Sequence, residues 1–405
     1  MGFKEEIVEY IKSGETKSQR FGLEVEHFII NEKGDQISFG EISGLIQQVG
    51  EAIGARLHYM DGFVVGYNTD SYSTSLEPAC QFEISINPYS DLEPIRRVYE
   101  DFLDLWTPIF KERGYHFAYG GNLPKVELGK LEPIDIPLSP KKRYKYMDAY
   151  FDKSGKYGRH MMRASASTQV SIDFSSEKDM VRKLQLLEKI SPILMMMMEN
   201  KAKEDSVFFE NDTTHLFRIQ EWDNLDGNRT GFVPYSFEKD FGYEKMADVI
   251  YNTPLILLYD NGETTYVGDF SAKDLVEKKI ISDAYESERK KRLIEHVMSM
   301  GFFHFRIKKY IEIRVADSVP IEKALSYVAL IKGLFHSEES IFQVEKELES
   351  VDSTTDIQHA VEEIEHHGWE AIIYDGRSAS DWLDYLKAVS SLSLDRKERE
   401  YLNYV

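Results

Sequence analysis

The chain has 405 residues, 42% of them hydrophobic, which is enough to bury a large core in one big domain or in two intertwined halves. A formal charge of −21 and an isoelectric point near 5.0 argue against a nucleic-acid partner or an anionic membrane, because binding to phosphate needs a basic surface. One cysteine, Cys80, excludes an internal disulfide. No stretch reaches the roughly 18 apolar residues of a membrane span, and residues 1–7 predict an amphipathic helix rather than a signal peptide, so we expect a cytoplasmic protein.

In the first half of the chain, apolar spacing and turn residues predict three helices and one clear strand. Proline and basic residues are frequent at 120–145, which indicates an ordered loop. The predicted elements are a helix at 3–13 that ends at Gly14, a strand at 21–31, a helix at 91–113 that follows Asp91, and a helix at about 143–152.

The second half is expected to be mostly helical. A run of four methionines at 195–198 predicts core packing, because methionine fills irregular gaps. Residues 211–236 are predicted to be a loop, and the sequence Asp260-Asn261-Gly262 favours a hairpin turn. Few tight parallel crossovers are apparent, so we predict an α+β chain with an antiparallel sheet. The predicted elements are a strand at 168–174, a helix from 177 to about 202, a strand pair at about 253–267, and helices from Pro320 onward.

Four short segments alternate acidic or polar residues with bulky apolar ones. A strand directs alternate side chains to opposite faces, so each segment has one apolar face and one face with carboxylates, an amide or a guanidinium. An ordinary solvated face would favour lysine, threonine and serine. We therefore predict a sheet whose open side holds metal ions and a charged substrate. The segments are 23–27, 81–85, 169–173 and 311–315.

Each of these segments also has a plainer interpretation. Glu24 and Glu26 alone are typical of a polar strand face, although a divalent cation would remove their mutual repulsion. Glu77, in a turn interrupted by proline, either caps that turn or adds a carboxylate to the metal site. Glu312 and Arg314 lie one pleat apart, and they form either a cross-sheet salt bridge or a site that stabilises a phosphoryl group.

A set of ordered motifs carries a family resemblance. They are Phe21-Gly22-Leu23-Glu24-Val25-Glu26, Ser75-Leu76-Glu77-Pro78 with Gln81-Phe82-Glu83, Ile136-Pro137 with Pro140-Lys141, Arg143-Tyr144 and Met147, Thr168-Gln169-Val170-Ser171-Ile172-Asp173-Phe174, Arg218 with Trp222 and Arg229-Thr230-Gly231, and Arg306 with Lys308, Tyr310-Ile311-Glu312-Ile313-Arg314 and Ala316-Asp317. Together they resemble the glutamate–cysteine ligase family of the plant and proteobacterial type, which is related to the glutamine-synthetase-like carboxylate–amine ligases. The helical part from Pro320 onward resembles the family less closely.

The resemblance implies a fold and a reaction. The fold is α+β, a curved antiparallel β-sheet funnel flanked by helices, glutamine-synthetase-like, with a helical C-terminal part. Nucleotide and metals occupy one end of the funnel and the amino acid the other. Residues 1–405 would form a single catalytic ligase domain, with an antiparallel-sheet core at 1–320 and a helical subregion at 321–405. In the reaction, ATP phosphorylates the γ-carboxylate of glutamate, and an amine then attacks the acyl phosphate to form an amide.

The resemblance also implies roles for individual residues. Activating a carboxylate brings anions together, so Mg²⁺ is expected to neutralise their charge. Arg314 matches the residue that would stabilise the transferring phosphoryl group, and Arg218 matches one that binds an amino-acid α-carboxylate. Arg163 and Trp222 are further candidates for substrate contacts. The matched metal ligands are Glu24, Glu26, Glu77, Glu83, Gln169 and Glu312.

Two positions depart from the family pattern. The family places an arginine one residue nearer to Gln169 than Arg163, and in a strand that shift turns a side chain to the opposite face. Many members have Glu-Pro-Gly-Gly-Gln where this chain has Glu77-Pro78-Ala79-Cys80-Gln81, which replaces a flexible glycine pair beside a predicted metal ligand. Plant members carry regulatory disulfides, which Cys80 alone cannot form within the chain, and we expect Cys80 to be a buried, inert thiol.

Four functional hypotheses remain open from the sequence. The first is ATP-dependent ligation of L-glutamate to L-cysteine, and the second keeps the acyl-phosphate chemistry with another amine. The third is a two-metal hydrolase or nuclease, which the acidic charge disfavours. The fourth is a noncatalytic binding scaffold, which would leave five converging glutamates without cations. The expected partners are small-molecule substrates, with neither nucleic acid nor membrane.

Overall fold

The computed structural model describes residues 2–202, 213–282 and 285–405, and an antiparallel sheet packed with helices forms its centre. Among these residues, nine strands form the central sheet and two form a separate hairpin. The strands are β1 Phe21–Asn31, β2 Arg56–Met60, β3 Phe63–Asn68, β4 Tyr72–Leu76, β5 Phe82–Tyr89, β6 Tyr115–Ala118, β7 Ser167–Ile172, β8 Pro254–Asp260, β9 Glu263–Ser271, β10 Phe305–Ile307 and β11 Ile311–Asp317.

The helices surround the sheet and dominate the last part of the chain. Short 3₁₀ turns lie at Pro133–Asp135, Gly368–Glu370, Tyr374–Gly376 and Leu402–Tyr404. The α-helices of the described residues are α1 Phe3–Lys12, α2 Phe39–Ala52, α3 Leu92–Glu112, α4 Pro124–Glu127, α5 Lys142–Ser154, α6 Gly158–Ala164, α7 Glu177–Met197, α8 Phe217–Asp223, α9 Tyr243–Asn252, α10 Ala272–Glu277, α11 Ser287–Met298, α12 Ile321–Phe335, α13 Glu338–Glu347, α14 Thr354–His367, α15 Ala379–Ser393 and α16 Arg396–Tyr401.

The central sheet has the strand order β10-β11-β7-β1-β5-β4-β3-β2, and β6 pairs with the far end of β1. Its strand pairs are antiparallel wherever the register is defined. The predicted α+β class with an antiparallel sheet is therefore confirmed. The four segments that alternate in the sequence lie on β1, β5, β7 and β11, so the sheet brings them side by side.

One face of these strands packs into the main hydrophobic core. Leu23, Val25, Val170 and Ile313 are fully buried on that face. Helices α3 and α12 pack against β1, and α7 packs against β11. Because side chains alternate along a strand, Glu24 and Glu26 must point away from these helices, to the opposite face.

His27 ends the first acidic segment, and it belongs to the core side. Its Nδ1 donates a hydrogen bond to the Phe82 carbonyl at 2.8 Å, and its Nε2 accepts one from the Tyr99 hydroxyl at 2.7 Å. It packs among aromatic rings that include Phe102 and Phe117. Burial lowers the pKa of His27 to about 4, so the imidazole is neutral at physiological pH.

Several helix boundaries agree with the sequence, with two differences. Helix α7 begins after Ser176, whose hydroxyl accepts a hydrogen bond from the Asp179 amide, and the four methionines at its end are buried as predicted. It ends at Met197, earlier than the predicted 202. Asp91 precedes α3 but does not cap it, because its carboxylate instead lies 3.3 Å from the Lys332 ammonium.

The segments predicted as loops contain short helices. Residues 213–236 include α8, which carries Arg218 and Trp222, while positions 211–212 lie outside the described residues. The Pro-rich segment contains α4 and one 3₁₀ turn. The hairpin prediction is confirmed: Asn261 and Gly262 both have positive φ, as a two-residue hairpin turn requires.

Residues 321–405 are helical as predicted, and α12 is buried among its neighbours. It packs against α15, α13 and α16 on one side and against α3 and the sheet on the other. No helix within the described parts of the chain is both long enough and apolar enough to span a membrane.

Glu188 on α7 gives the stability of the fold a specific pH dependence. It is fully buried, and one of its oxygens accepts a hydrogen bond from the Val233 amide at 3.0 Å. Burial raises the pKa of Glu188 from its ordinary value of 4.5 to about 8. Since the folded state holds this proton more tightly, its contribution to stability is complete below pH 4.5 and is lost as the pH rises through 8.

We therefore expect Glu188→Gln to unfold at higher urea concentration than the wild type at pH 9, by a difference on the order of 2–4 kcal/mol in free energy of unfolding. At pH 4.5 the two proteins should differ little, because both then carry a neutral side chain. Urea unfolding at the two pH values measures this. A difference that does not change with pH would contradict the assignment.

Candidate active site

A cavity of about 350 Å³ lies against the polar face of the central sheet. Strands β1, β5, β7, β10 and β11 and helices α5, α6 and α8 all contribute side chains to its lining. Eight of the ten residues predicted for the site line it, and Glu312 and Arg163 do not. The eight are Glu24, Glu26, Glu77, Glu83, Gln169, Arg218, Trp222 and Arg314.

Strand register explains why the carboxylates converge. Glu26 on β1 lies directly opposite Glu83 on β5, and Glu24 lies opposite Gln169 on β7. Residues that face one another across antiparallel strands have Cβ atoms about 4.5–5.5 Å apart. Glu77 follows β4 and shares a hydroxyl donor with Glu83, since Ser75 Oγ lies 3.1 Å from Glu77 Oε1 and 3.3 Å from Glu83 Oε1.

These carboxylates carry more negative charge than their surroundings neutralise. Burial, followed by repulsion from Glu24, Glu77 and Glu26, raises the pKa of Glu83 well above its ordinary value. Burial and the Glu77 charge raise the pKa of Glu26 to about 7, and burial and Glu312 raise the pKa of Glu24. A cation bound among them would reverse these shifts.

The donor chemistry fits a hard cation such as Mg²⁺. Among the described residues that line the cavity, the candidate ligands are carboxylates, two side-chain amides and hydroxyls, with no histidine or cysteine. Oxygen ligands of this kind are those that Mg²⁺ prefers. Within residues 2–202, 213–282 and 285–405, however, no three acidic, histidine or cysteine side chains are already grouped closely enough to form a complete metal centre.

Glu312 differs from the other predicted metal ligands. It is fully buried, and its oxygens lie 2.7 Å from Arg306 Nη2, 2.9 Å from Lys308 Nζ and 3.0 Å from Arg314 Nη1. Burial alone would raise the pKa of Glu312, but these three cations together hold it well below its ordinary value. Its observed partners are side-chain cations, so metal ligation by Glu312 stays a prediction.

Arg314 is held in the cavity by two of the residues predicted as metal ligands. Its Nη1 donates to Gln169 Oε1 at 2.7 Å and to Glu312 Oε2 at 3.0 Å. The register between β11 and β7 shifts at this point, between Ile313 and Ala316. Such a bulge re-aims a side chain next to a site. Gln169 also donates through Nε2 to Glu26 Oε1 at 3.3 Å, so its amide links the arginine to the carboxylates.

Trp222 lies between two guanidinium groups. The ring is 5.8 Å from Arg218 Cζ and 5.9 Å from Arg314 Cζ, distances at which a cation interacts with an aromatic face. Phe302 packs against the same indole at 5.9 Å. Helix α8 thus presents Arg218 and Trp222 together, one turn apart.

Two guanidinium groups of the cavity are not paired with a carboxylate. Arg218 Nη1 donates to the Arg314 carbonyl at 3.3 Å, and among the described residues no carboxylate lies within ion-pair distance of it. Arg143 on α5 likewise lacks a carboxylate partner in the described part of the chain, and its buried Nε has no hydrogen bond. Sequence reasoning missed Arg143, although its spacing from Met147 places both on one side of a helix.

Arg163 lies outside this cavity. It is on α6 rather than on a strand, and its guanidinium donates to Asp148 at 2.9 and 2.6 Å. The remaining nitrogen donates to the carbonyls of Ile134 and Ile136 at 3.1 and 2.7 Å. The argument from a shifted strand register is therefore wrong for this segment. Arg163 ties α6 to α5 and to the loop before it, and we leave it out of the substrate site.

Cys80 is buried as predicted and does not line the cavity. Burial raises the pKa of its thiol to about 12, which keeps it protonated and unreactive. Its backbone has φ of +67°, a conformation that favours glycine. This explains the difference from the glycine pair of the family: the turn keeps the glycine-like geometry even though a side chain is present.

Apart from Arg143, Tyr144 and Arg218, the cavity residues on helices α5, α6 and α8 form an apolar wall that is rich in sulfur. Met147 comes from α5, and Met161 and Met162 come from α6. Trp222 and Phe302 complete this surface. The cavity therefore has one strongly polar side and one side suited to a small, uncharged group.

Comparisons with known proteins agree with this chemistry. Residues 20–404 match the profile of the glutamate–cysteine ligase family 2. Glutamate–cysteine ligase A of Oryza sativa subsp. indica, a chloroplastic protein, is 29% identical over 349 residues, which cover 84% of this chain and 68% of the relative. The chloroplastic glutamate–cysteine ligase of Medicago truncatula is 28% identical over 347 residues, 84% of this chain and 66% of that protein.

A solved structure has a similar fold. The crystal structure of glutamate–cysteine ligase from Francisella tularensis in complex with AMP superposes with a TM-score of 0.52. The alignment covers 96% of this chain and 81% of that chain at 12% sequence identity. At this identity the likeness concerns the fold.

Proposed function

Because the chain belongs to the glutamate–cysteine ligase family 2, we propose that it joins the γ-carboxylate of L-glutamate to the amine of L-cysteine. ATP is the cosubstrate: its γ-phosphoryl group passes to glutamate, which gives γ-glutamyl phosphate and ADP. The cysteine amine then attacks the acyl carbon and displaces inorganic phosphate to give γ-glutamylcysteine. The observation that carries the proposal is a cavity in which a carboxylate-lined sheet faces the guanidinium of Arg314.

The carboxylates would hold Mg²⁺ in this reaction. Glu24, Glu26, Glu77 and Glu83 face the cavity, and the raised pKa values of Glu24, Glu26 and Glu83 reflect charge that a cation would neutralise. When bound, Mg²⁺ supplies neutralisation of the phosphate and carboxylate charges that must approach one another. The protein contributes the fixed positions of these oxygens, set by strand register.

Arg314 is the residue we assign to the transferring phosphoryl group. Its contacts with Gln169 and Glu312 fix the guanidinium before substrate binds, so no reorganisation is needed as negative charge develops. Arg306 and Lys308 share the Glu312 carboxylate and hold it in place. The result is a preorganised cationic group beside a carboxylate-lined metal site.

The two unpaired guanidinium groups match a reaction between two amino acids. Arg218, bonded to the Arg314 backbone, is near the phosphoryl-transfer group, and we assign it to the glutamate α-carboxylate. Arg143 lies beside the apolar wall, and we assign it to the carboxylate of the acceptor. Charge-assisted bonds from arginine to carboxylate are strong and directional. This arrangement favours an amino-acid acceptor over a simple amine.

The apolar wall favours a small, uncharged acceptor side chain. Met147, Met161 and Met162 offer polarisable thioethers, and Phe302 and Trp222 offer aromatic surface. A charged side chain would lose its hydration there without a partner. L-cysteine fits both the size and the chemistry.

The test is ADP release from the purified protein with Mg-ATP, L-glutamate and one acceptor at a time, with products identified by mass. We expect L-cysteine and L-2-aminobutyrate to be used well. Cysteamine, which lacks the carboxylate, should have a kcat/KM about 10–100-fold lower, as expected for the loss of a charged hydrogen bond. L-aspartate should also be poor because of its charge. If cysteamine equals cysteine, the role assigned to Arg143 fails; if no acceptor yields an amide, the ligase proposal fails.

We also propose that residues 1–405 act as one catalytic unit in the cytoplasm. The packing of α12 against β1 and β7 supports the first point, since the helical part covers the core side of the strands that carry the site. A single buried cysteine is compatible with a reducing compartment.

A further inference from the structure

The turn between β4 and β5 presents Glu77 to the cavity. The Glu77 amide donates to the Gln81 carbonyl at 2.9 Å, and the Gln81 side chain accepts from the Ala79 amide at 2.9 Å and donates to the Ser165 carbonyl at 2.8 Å. These bonds close the turn on itself and on the segment that leads to β7. These bonds do not involve the Leu76 carbonyl or the Glu77 carboxylate, which lie at the start of the turn. Groups outside the turn must hold these two.

A buried lysine supplies that contact. Lys141 is 4% exposed, and its Nζ donates to the Leu76 carbonyl. The ammonium also lies 4.9 Å from the centre of the Tyr144 ring. The hydroxyl of Tyr144 donates in turn to Glu77 Oε2 at 3.3 Å. Lys141 and Tyr144 therefore hold both the backbone and the side chain at the point where the turn begins.

Lys141 shares with Arg143 and Arg218 the lack of a carboxylate partner in the described part of the chain, but unlike them it does not line the cavity. Arg306, Lys308 and Arg314 all contact the Glu312 carboxylate, whereas no carboxylate in the described residues lies within ion-pair distance of Lys141. A buried ammonium without a paired anion is unfavourable unless other groups compensate for its lost hydration. The burial of Lys141 is therefore better explained by a specific role at this turn than by a contribution to the stability of the fold.

We propose that Lys141 is a positioning residue for the metal site, which fixes the Glu77 turn and so tightens the binding of a divalent cation. This inference rests on the proposed function, because it takes Glu77 as a metal ligand. Groups that orient the ligands of a metal typically change its affinity 10–100-fold when they are removed.

The test measures Mn²⁺ binding to the full chain by electron paramagnetic resonance, without nucleotide or amino acid. In Lys141→Met the dissociation constant should rise about tenfold. Tyr144→Phe removes only the hydroxyl that donates to Glu77 and should give a smaller rise in the same direction. Lys142→Met is the matched control, because Lys142 is the exposed neighbour, its backbone amide donates to Asp61, and its side chain makes no hydrogen bond or ion pair within the described part of the chain. Its affinity should not change.

The sign of the change separates positioning from simple electrostatics. Loss of a positive charge near the carboxylates would by itself tighten Mn²⁺ binding, so tighter binding in Lys141→Met overturns the proposal, and so does an unchanged constant. If Lys141→Met fails to fold, as judged by circular dichroism, Tyr144→Phe decides in the same way. Wild-type protein that forms γ-glutamylcysteine but binds no Mn²⁺ would overturn this inference while leaving the proposed reaction standing.

Discussion

Replacing Arg314 with alanine is expected to lower kcat by about 10²–10³-fold, the usual effect of removing one preorganised group that stabilises transition-state charge. The fold should survive, because Glu312 keeps Arg306 and Lys308 as partners after the substitution. The measurement is ADP release with Mg-ATP, L-glutamate and L-cysteine at saturating concentrations, together with a thermal melt.

A matched control separates this effect from the loss of an arginine in general. Arg182 pairs with Glu345 at 2.6 Å and lies on α7, outside the cavity. Arg182→Ala should remove a comparable ion pair and leave kcat within about twofold of the wild type. Wild-type turnover in Arg314→Ala would remove Arg314 from the mechanism.

Substituting Glu312 with glutamine is expected to destabilise the protein by about 3–5 kcal/mol, because three partly buried cations would lose their common, fully buried anion. The carboxylate is fully buried, so water cannot replace it. Urea unfolding at pH 7 measures the loss as a lower midpoint.

The same substitution at Glu24 should behave in the opposite way. Burial and the charge of Glu312 raise the pKa of Glu24, which means that its negative charge destabilises the folded state. A neutral amide at this position removes that charge. Glu24→Gln should therefore keep or increase stability, while the Mg²⁺ concentration needed for half-maximal activity rises. If Glu24→Gln unfolds as readily as Glu312→Gln, the distinction between a metal ligand and an ion-pair centre is wrong. An unchanged Mg²⁺ titration in Glu24→Gln would argue against its role as a ligand.

The polar face of the sheet could be predicted because a strand has a period of two. The spacing of Glu24 and Glu26 alone predicts that they share one face, and the structure places both in the cavity. Strand order and register were not readable in this way. They decide that Glu26 faces Glu83 and that Glu24 faces Gln169. The family resemblance implies that the carboxylates and Gln169 converge on one site. The strand register that brings them together is seen only in the structure.

The cations around the site were harder to predict. Arg306 pairs with Glu312 across the β10–β11 hairpin, and Lys308 reaches the same carboxylate from the turn, so a residue matched to metal binding has side-chain cations as its observed partners. Arg143 lies in helix α5 and Lys141 directly before it, so the alternation pattern of strands cannot identify either residue. The family pattern predicts a strand around Arg163, but its segment is helical and the side chain faces Asp148.

The position of β11 between β10 and β7 has a consequence for the order in which the protein becomes functional. Arg314 and Gln169 are hydrogen-bonded but 145 residues apart, and Ser318 bonds to the Glu26 carbonyl across 292 residues. Contacts of such long sequence separation form late and slowly during folding. Glu24, Glu26, Glu77 and Glu83 are therefore synthesised long before Arg314, which lies on the last strand of the sheet. The proposed catalytic site is therefore complete only once β11 has been synthesised, and a shorter chain has these four glutamates without Arg314.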